Sequence, residues 1–259
     1  VTALRGQIDS VTRGQGDALT YVLKDARSIV TSRFNGEGAR TLWSGPFTSW
    51  RTGKLGTNGT LVFTKPSASM PGYSYDISSG SLAKLLGPLN GLTAIANPAG
   101  TYLLYSYSNG GVTKLAAKGV RTGVTGELSP ATIAVDKCVG SSREATTFFC
   151  GAPTQGISGS EPDLWYQGKT HFSDDIWSFD AVSQGATLLV QPESEFGIAL
   201  DVFTPAFSPD EQYLVFINKN DLSLVYTPGV AEISRTIAKN PAYAYELTLK
   251  SNSVAVISD

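Results

Sequence analysis

Apolar and polar residues alternate in short runs along most of this chain, and turn residues separate the runs. Five of the apolar runs contain an aromatic residue soon after a turn: Tyr21, Phe63, Tyr105, Phe149 and Phe216. The first three intervals between these aromatics are 42, 42 and 44 residues. A period of about 40 to 45 residues is typical of propeller blades with four strands each. The pattern therefore predicts an all-β propeller of four-stranded antiparallel blades.

Alignment on the aromatic residues divides the chain into five repeats and a tail. The whole chain, 1–259, is predicted to be one propeller domain, with six blades if the chain ends share the last blade and five as the alternative. No segment predicts a helix, and residues 132–139 (TIAVDKCV) are expected to form the first strand of the fourth blade. The repeats are about 1–45, 46–90, 91–130, 131–196 and 197–230, and 231–259 supplies closing strands.

One interval breaks the period. Phe149 and Phe216 are 67 residues apart, and the excess of about 20 residues over the repeat is placed at an insertion, 153–172. Long loops in compact domains are often functional. The acids and aromatics in and beside this insertion are the candidate binding residues: Glu161, Asp163, Trp165, Tyr166, His171, Asp174 and Asp175.

Two interpretations of this segment stay open. Its carboxylates could hold a hard cation such as calcium, and Trp165 with Tyr166 could stack on a sugar ring. Alternatively, the two aromatics fold back as a hydrophobic plug while Asp163 and Asp174 cap turns. His171 is the only histidine and no Gly-x-Ser-x-Gly elbow occurs, so no catalytic residue and no metal ligand is assigned.

The charge and the cysteine content limit the classes of partner and the cell compartments that fit this chain. A net charge of −2 and a pI of about 5.5 give no electrostatic footprint for nucleic acid. The chain begins at Val1, which is consistent with a leader or membrane anchor that precedes this sequence. Cys138 and Cys150 flank a polar turn and would lie opposite each other in a hairpin, so either they form a cross-strand disulfide or they are two reduced, buried cysteines. A disulfide would indicate an oxidising, extracytoplasmic compartment.

Four stretches carry a resemblance to a known family. They are 46–50 (PFTSW) with 65–77 (KPSASMPGYSYDI), 137–139 (KCV) with 148–153 (FFCGAP), 161–177 (EPDLWYQGKTHFSDDIW), and 208–224 (SPDEQYLVFINKNDLSL). On these residues, roughly 1–230 resembles an uncharacterised family of bacterial surface-anchored, TolB-like propellers with WD-like repeats. The resemblance implies a propeller fold and a membrane anchor outside this chain, and it implies no activity. Where the family's insertion reads Tyr-Pro-Asp-Asp-Trp-Tyr-Gln-Gly and then Ser-Phe-Ser-Asp, this chain has Glu161, Leu164 and His171 at three positions, which weakens a catalytic role for the acids or the histidine.

These observations favour a non-catalytic, extracytoplasmic module that binds a protein or a cell-envelope polymer, or that serves as a structural surface module. The alternative is a carbohydrate-active or peptidase-associated propeller enzyme that uses acids of the 153–175 loop. A third hypothesis is a surface assembly in which the strand-like segment 243–250 (YAYELTLK) adds to a neighbour's sheet.

Overall fold

The computed structural model describes residues 6–14, 16–77, 81–221 and 238–240. The chain divides into two compact units, 1–217 and 218–259. The sheets belong to the first unit, apart from the last strand residue at position 218. Of the second unit only 218–221 and 238–240 are described, so most of the predicted closing strands and all of segment 243–250 lie outside the described residues. The sixth blade, the closure of the ring and the single-domain organisation therefore stay predictions.

Four sheets are antiparallel meanders of four strands each, paired in chain order. The first sheet consists of β1 (Ile8–Arg13), β2 (Ala18–Leu23), β3 (Ser28–Arg33) and β4 (Arg40–Ser44). The second consists of β5 (Trp50–Leu55), β6 (Gly59–Thr64), β7 (Pro71–Asp76) and β8 (Ala83–Asn90). The third consists of β9 (Thr93–Ala96), β10 (Tyr102–Asn109), β11 (Val112–Gly119) and β12 (Thr125–Leu128). The fourth consists of β13 (Cys138–Gly140), β14 (Thr147–Pro153), β15 (Asp174–Asp180) and β16 (Ala186–Val190).

A fifth sheet pairs two strands within the described residues, β17 (Val202–Phe207) and β18 (Leu214–Asn218). The first strand of every sheet contacts the first strand of the next, so β1, β5, β9, β13 and β17 follow one another along the inner side. Sheets stacked in this way around their first strands form a β-propeller. The predicted fold class, an all-β propeller with four-stranded antiparallel blades, is confirmed.

The core lies between neighbouring sheets. Val22 and Trp50 belong to the cluster between the first and second sheets, and Phe63 and Leu103 to the cluster between the second and third. A third cluster, between the third and fourth sheets, is centred on Phe148 and contains the two cysteines. Because both faces of an inner sheet are covered, the strands carry apolar residues in near-continuous runs at their centres.

The repeated aromatics occupy this core unequally. Tyr21, Phe63 and Tyr105 are buried, but in the fourth sheet it is Phe148 that is fully buried, while Phe149 is half-buried. Phe149 lies on the other face of β14 and packs edge-to-face against Phe207 of β17, with ring centroids 5.2 Å apart. The two adjacent phenylalanines thus serve the two faces of one sheet.

Three short helices in the described part of the first unit correct the expectation that the chain has none. They are α1 (Ala134–Lys137), α2 (Asp163–Tyr166) and α3 (Pro192–Phe196). The α1 turn replaces most of the strand expected at 132–139, and Lys137 N–H donates to the Ile133 carbonyl at 3.1 Å. Asp136 and Lys137 are adjacent, charged and buried in this turn, and their side chains pair with different residues. No helix in the described ranges has the length and apolar character that crossing a membrane requires.

Candidate functional site

The insertion begins at the end of β14 and contacts the second and third sheets. Thr113 N–H of β11 donates to the Ile157 carbonyl at 3.0 Å, and Gly159 N–H donates to the Gly111 carbonyl at 2.8 Å. Asp163, the first residue of α2, then accepts hydrogen bonds from Ala68 N–H at 2.9 Å and from Ser67 Oγ at 3.2 Å. The segment is therefore fastened to the third sheet and to the loop between β6 and β7 of the second.

Trp165 anchors the centre of the insertion. Its side chain is fully buried, and its indole Nε1–H donates to both carboxylate oxygens of Asp201, at 2.9 and 3.0 Å. Phe172 stacks on its ring and Phe203 of β17 meets it edge-on, with centroids 6.4 and 5.8 Å away. Trp165 presents no free ring face to a ligand in this structure, which agrees with the plug interpretation for this residue.

A buried charge cluster lies directly beneath Trp165. The ammonium group of Lys137 pairs with Asp174 and with Asp201, the latter at 2.6 Å, and none of the three side chains is exposed. The same ammonium lies 5.1 Å from the Trp165 ring centre and 5.0 Å from that of Phe172. Cation–π contacts of this kind strengthen when water is excluded. The cluster joins α1, β15, the start of β17 and the insertion at a single point.

Asp174 is the strained member of the cluster. Its Oδ2 accepts from Lys137 and from Val202 N–H, the latter at 2.7 Å, while its buried Oδ1 has no hydrogen-bond partner among the described residues. Burial raises the pKa of Asp174 to about 6, against the opposing effect of Lys137. Desolvation of the carboxylate thus outweighs its pairing with one cation that it shares with a second acid.

The remaining acids of the insertion are engaged separately. Glu161 is buried and accepts from Trp165 N–H at 2.8 Å, which satisfies a donor in the first turn of α2. Asp175 is buried on β15, and Gln191 Nε2 donates to it at 3.4 Å. His171 is exposed and lines a polar cleft of about 530 Å³ together with Glu161 and Glu193.

These carboxylates do not converge on one point. Within the ranges that the structure describes, no three His, Cys, Asp or Glu side chains form a group that could hold a metal ion. Binding of calcium by the loop acids stays a prediction without geometric support among those residues.

Tyr166, the last residue of α2, forms the exposed part of the site. Its phenolic O–H donates to Asp136 of α1, and it accepts from Arg51 Nη1 of β5 at 3.0 Å. Arg51 donates two parallel hydrogen bonds to Asp136, of 2.9 and 2.8 Å. Its guanidinium lies 5.6 Å from the Tyr166 ring centre. The ring stays 37% exposed although its hydroxyl points inward.

The electrostatics of this triad follow from burial and pairing. Burial and the Asp136 carboxylate raise the pKa of the Tyr166 phenol well above its usual value, so the hydroxyl stays protonated and donates. Burial by itself lowers the pKa of Arg51, but the hydrogen bonds to Asp136 raise it overall. The Arg51–Asp136 pair has no net charge, and its two parallel hydrogen bonds fix the orientation of the planar guanidinium group.

A cleft opens over the triad. It has a volume of about 410 Å³ and a mainly apolar wall. Arg51 comes from an inner strand and Asp136 from the turn that leads into another, while the insertion supplies the outer wall. The cleft thus lies at the start of the inner strands β5 and β17, and we call it the axial mouth. Its lining residues are Arg51, Lys65, Pro66, Asp136, Asp163, Tyr166, Gln167 and Phe203.

The partners that organise this site are not among the residues predicted from the sequence. They are Arg51, Asp136, Lys137, Asp201 and Phe203. One local signal could have found two of them: adjacent opposite charges at 136 and 137 interrupt an otherwise apolar run, and charges inside such a run are buried only when they are paired.

The disulfide predicted as one of two alternatives is present. Cys138 and Cys150 are bonded and are direct partners in the β13–β14 ladder. Both cysteines are buried in the core between the third and fourth sheets. The bond thereby fixes the inner strand that follows α1.

Comparison with known proteins supports the fold. No protein-family model matches the chain. A protein described as TolB from Agrobacterium tumefaciens superposes over 82% of this chain and 69% of its own, with a TM-score of 0.55 and 11% identity. TolB from Acinetobacter baumannii superposes over 78% of this chain and 47% of its own, with a TM-score of 0.51 and 15% identity. The tricorn protease matches over 81% of this chain and 18% of its own, at a TM-score of 0.53 and 13% identity. The fold is a TolB-like β-propeller.

Short sequence matches of another kind also occur. The chain is 58% identical over 41 residues to the NAD-dependent malic enzyme of Geobacillus stearothermophilus, and 62% identical over 39 residues to the NADP-dependent malic enzyme of Halomonas elongata. These stretches cover 16% and 15% of this chain, and 9% of either enzyme. Similarity of that extent concerns a segment, and it assigns the chain to no enzyme family.

Proposed function

We propose that this propeller is a non-catalytic, extracytoplasmic binding module that receives a protein or a cell-envelope polymer at its axial mouth. The main support for the proposal is the arrangement of the residues that line the axial mouth. An insertion of about half a blade repeat is fastened at several points and presents one partly exposed aromatic ring, Tyr166, over a rigid Arg51–Asp136 pair. Binding sites are commonly clefts of a few hundred Å³ with apolar walls and a few fixed polar groups.

The state of the acids supports binding over catalysis. Asp136 is held by Arg51, Asp163 accepts from the 67–69 loop, and Asp174 shares Lys137 with Asp201. Glycoside hydrolysis needs two carboxyl groups that flank a substrate bond, one of them free to accept or give a proton. Each of these acids is instead engaged by an internal cation or donor.

The disulfide supports the proposed extracytoplasmic compartment. Bonds of this type persist in oxidising surroundings, and Cys138–Cys150 is buried in the core between two blades. This supports an envelope or surface location. Attachment to the membrane would come from an anchor outside the sequence considered, as the family resemblance implies.

The experiment is a capture assay paired with activity tests. The full chain and its Tyr166→Ala variant are immobilised, a bacterial envelope extract is passed over each, and the retained proteins and glycans are identified. We expect one component to be retained by the native chain and lost from the variant, with circular dichroism showing that the variant is still folded at the assay temperature. Turnover on a panel of glycan and peptide substrates, with no retained component, would contradict the proposal.

We further propose that the malic-enzyme-like stretch is the second compact unit. That unit, 218–259, has 42 residues, and the matched stretch has 41. The solved propellers superpose on 78 to 82% of the chain, so they leave about a fifth of it unmatched. This proposal competes with the prediction that 231–259 supplies closing strands, and truncation after position 218 distinguishes the two.

A further inference from the structure

A second groove lies between the first and second sheets. Residues of β1 to β4 form one wall, and β5, β6 and the turn between them form the other, enclosing about 300 Å³. Three of its fourteen lining residues are cationic, Arg13, Arg40 and Lys54, and none is acidic. Lys54 lies at the opposite end of β5 from Arg51, so this groove is separate from the axial mouth.

The three cations have no carboxylate partner within the part of the chain that the structure describes. By contrast, Arg51 and Lys65 each have a carboxylate oxygen at 2.8 Å. Like charges around one groove repel each other. Although the net charge of the chain is −2, the three cations and the lack of acids give this groove a local positive potential. A bound anion would relieve the repulsion between the cations.

The groove also carries neutral polar groups that are available to a ligand. The side chains of Thr57, Asn58 and Thr60 make no hydrogen bond to other described residues. The guanidinium carbon of Arg13 lies 5.6 Å from the ring centre of Phe34. Arginine guanidinium groups recognise the oxygens of phosphate and carboxylate groups.

We propose that this groove binds a phosphorylated sugar. The phosphate pairs with the guanidinium and ammonium groups of Arg40 and Lys54, and hydroxyls of the sugar bond to the Thr57 and Asn58 side chains. Size favours a phosphate that is carried on a larger polar body, because 300 Å³ is about ten times the share of one water molecule in the liquid. The inference uses none of the residues of the axial mouth, so it stands or falls independently of the proposed function.

The test is calorimetric titration of the full chain with glucose 6-phosphate, inorganic phosphate and glucose. We expect glucose 6-phosphate to bind, inorganic phosphate to bind more weakly and glucose not to bind. Arg40→Gln and Lys54→Gln should each weaken glucose 6-phosphate binding by roughly tenfold or more, the usual effect of removing a charge-assisted hydrogen bond. Both side chains are exposed, so the melting temperature should not change.

The matched control is Lys169→Gln, which removes the same charge from an exposed position on the insertion. This control should leave the affinity within about twofold of the native value, as a surface substitution usually does, because Lys169 does not line the groove. The proposal is overturned if the Arg40→Gln/Lys54→Gln double variant binds as tightly as the native chain. It is also overturned if the control loses as much affinity, or if glucose binds as tightly as its phosphate.

Discussion

Replacement of Lys137 by Met tests the charge cluster that fastens the insertion to the propeller. Methionine keeps the length and apolar stem of the side chain but removes the cation that Asp174 and Asp201 share. Both carboxylates then stay buried without their counter-ion, because all three side chains are inaccessible. Removal of one partner from a buried ion pair typically lowers the free energy of unfolding by about 3–5 kcal/mol.

In a domain of about 200 residues, each kcal/mol shifts the melting temperature by roughly 2–4 °C. Lys137→Met should therefore lower the melting temperature at pH 8 by about 6–20 °C, measured by circular dichroism or calorimetry. Lys169→Met is the matched control, since Lys169 is an exposed lysine on the same insertion, and its melting temperature should stay within about 2 °C of the native value, as surface substitutions usually do.

The loss should depend on pH in a defined direction. The pKa of Asp174 in the fold, about 6, is above its ordinary 3.8, so the folded state takes up a proton between these values and ionisation above pH 6 opposes folding. Removal of Lys137 also removes an interaction that lowers this pKa. The variant's deficit should therefore be larger at pH 8 than at pH 5. A deficit under about 2 °C at pH 8, or one that grows as the pH falls, would refute the reasoning.

Three further predictions follow from particular contacts. Cys138→Ser should lower the free energy of unfolding by about 3 kcal/mol, the usual effect of opening a short disulfide loop, and a reductant should then no longer affect the melting temperature of the protein. Glu211→Gln should destabilise the fold at pH 7, because hydrogen bonds from Ser141 and Ser142 lower the pKa of Glu211 from 4.5 to about 2. The stability that the ionised Glu211 contributes is present above pH 4.5 and is lost as the pH falls toward 2. The melting temperatures of the native chain and the variant should therefore converge near pH 2. Truncation after position 218 should leave the melting temperature of the propeller unit unchanged if 218–259 is the malic-enzyme-like segment, whereas a fall of several degrees would show that these residues close the ring.

The sequence predicts the propeller because its signal is local and repeated. Phe63 and Tyr105 lie one period apart, and each ends a run whose apolar residues must be buried on both sheet faces. The turn residues between the runs set the strand lengths. Neither observation requires knowledge of a distant partner, so strand order and sheet size follow from the pattern.

The site could be predicted only in part, because its contacts join distant residues. The insertion was located by the break in the period, yet Tyr166 bonds to Arg51, which is 115 residues earlier. The apolar neighbours of Lys137 predict a strand there, whereas its charge partners, Asp174 and Asp201, are 37 and 64 residues further along the chain. The same limit applies to the aromatics, since periodicity alone does not decide which of Phe148 and Phe149 faces the disulfide core.

The most direct test of the axial mouth is site-specific photo-crosslinking from its rim. A benzophenone amino acid is placed in the full chain at Gln167, which lines the mouth, or at Lys169, which is exposed on the same insertion but outside the mouth. Irradiation in a bacterial envelope extract should yield one discrete adduct from position 167, weaker or absent from position 169, and lost when Tyr166→Ala is added. Equal adducts from both positions, or none from position 167, would contradict the claim that the mouth is where this propeller binds its partner.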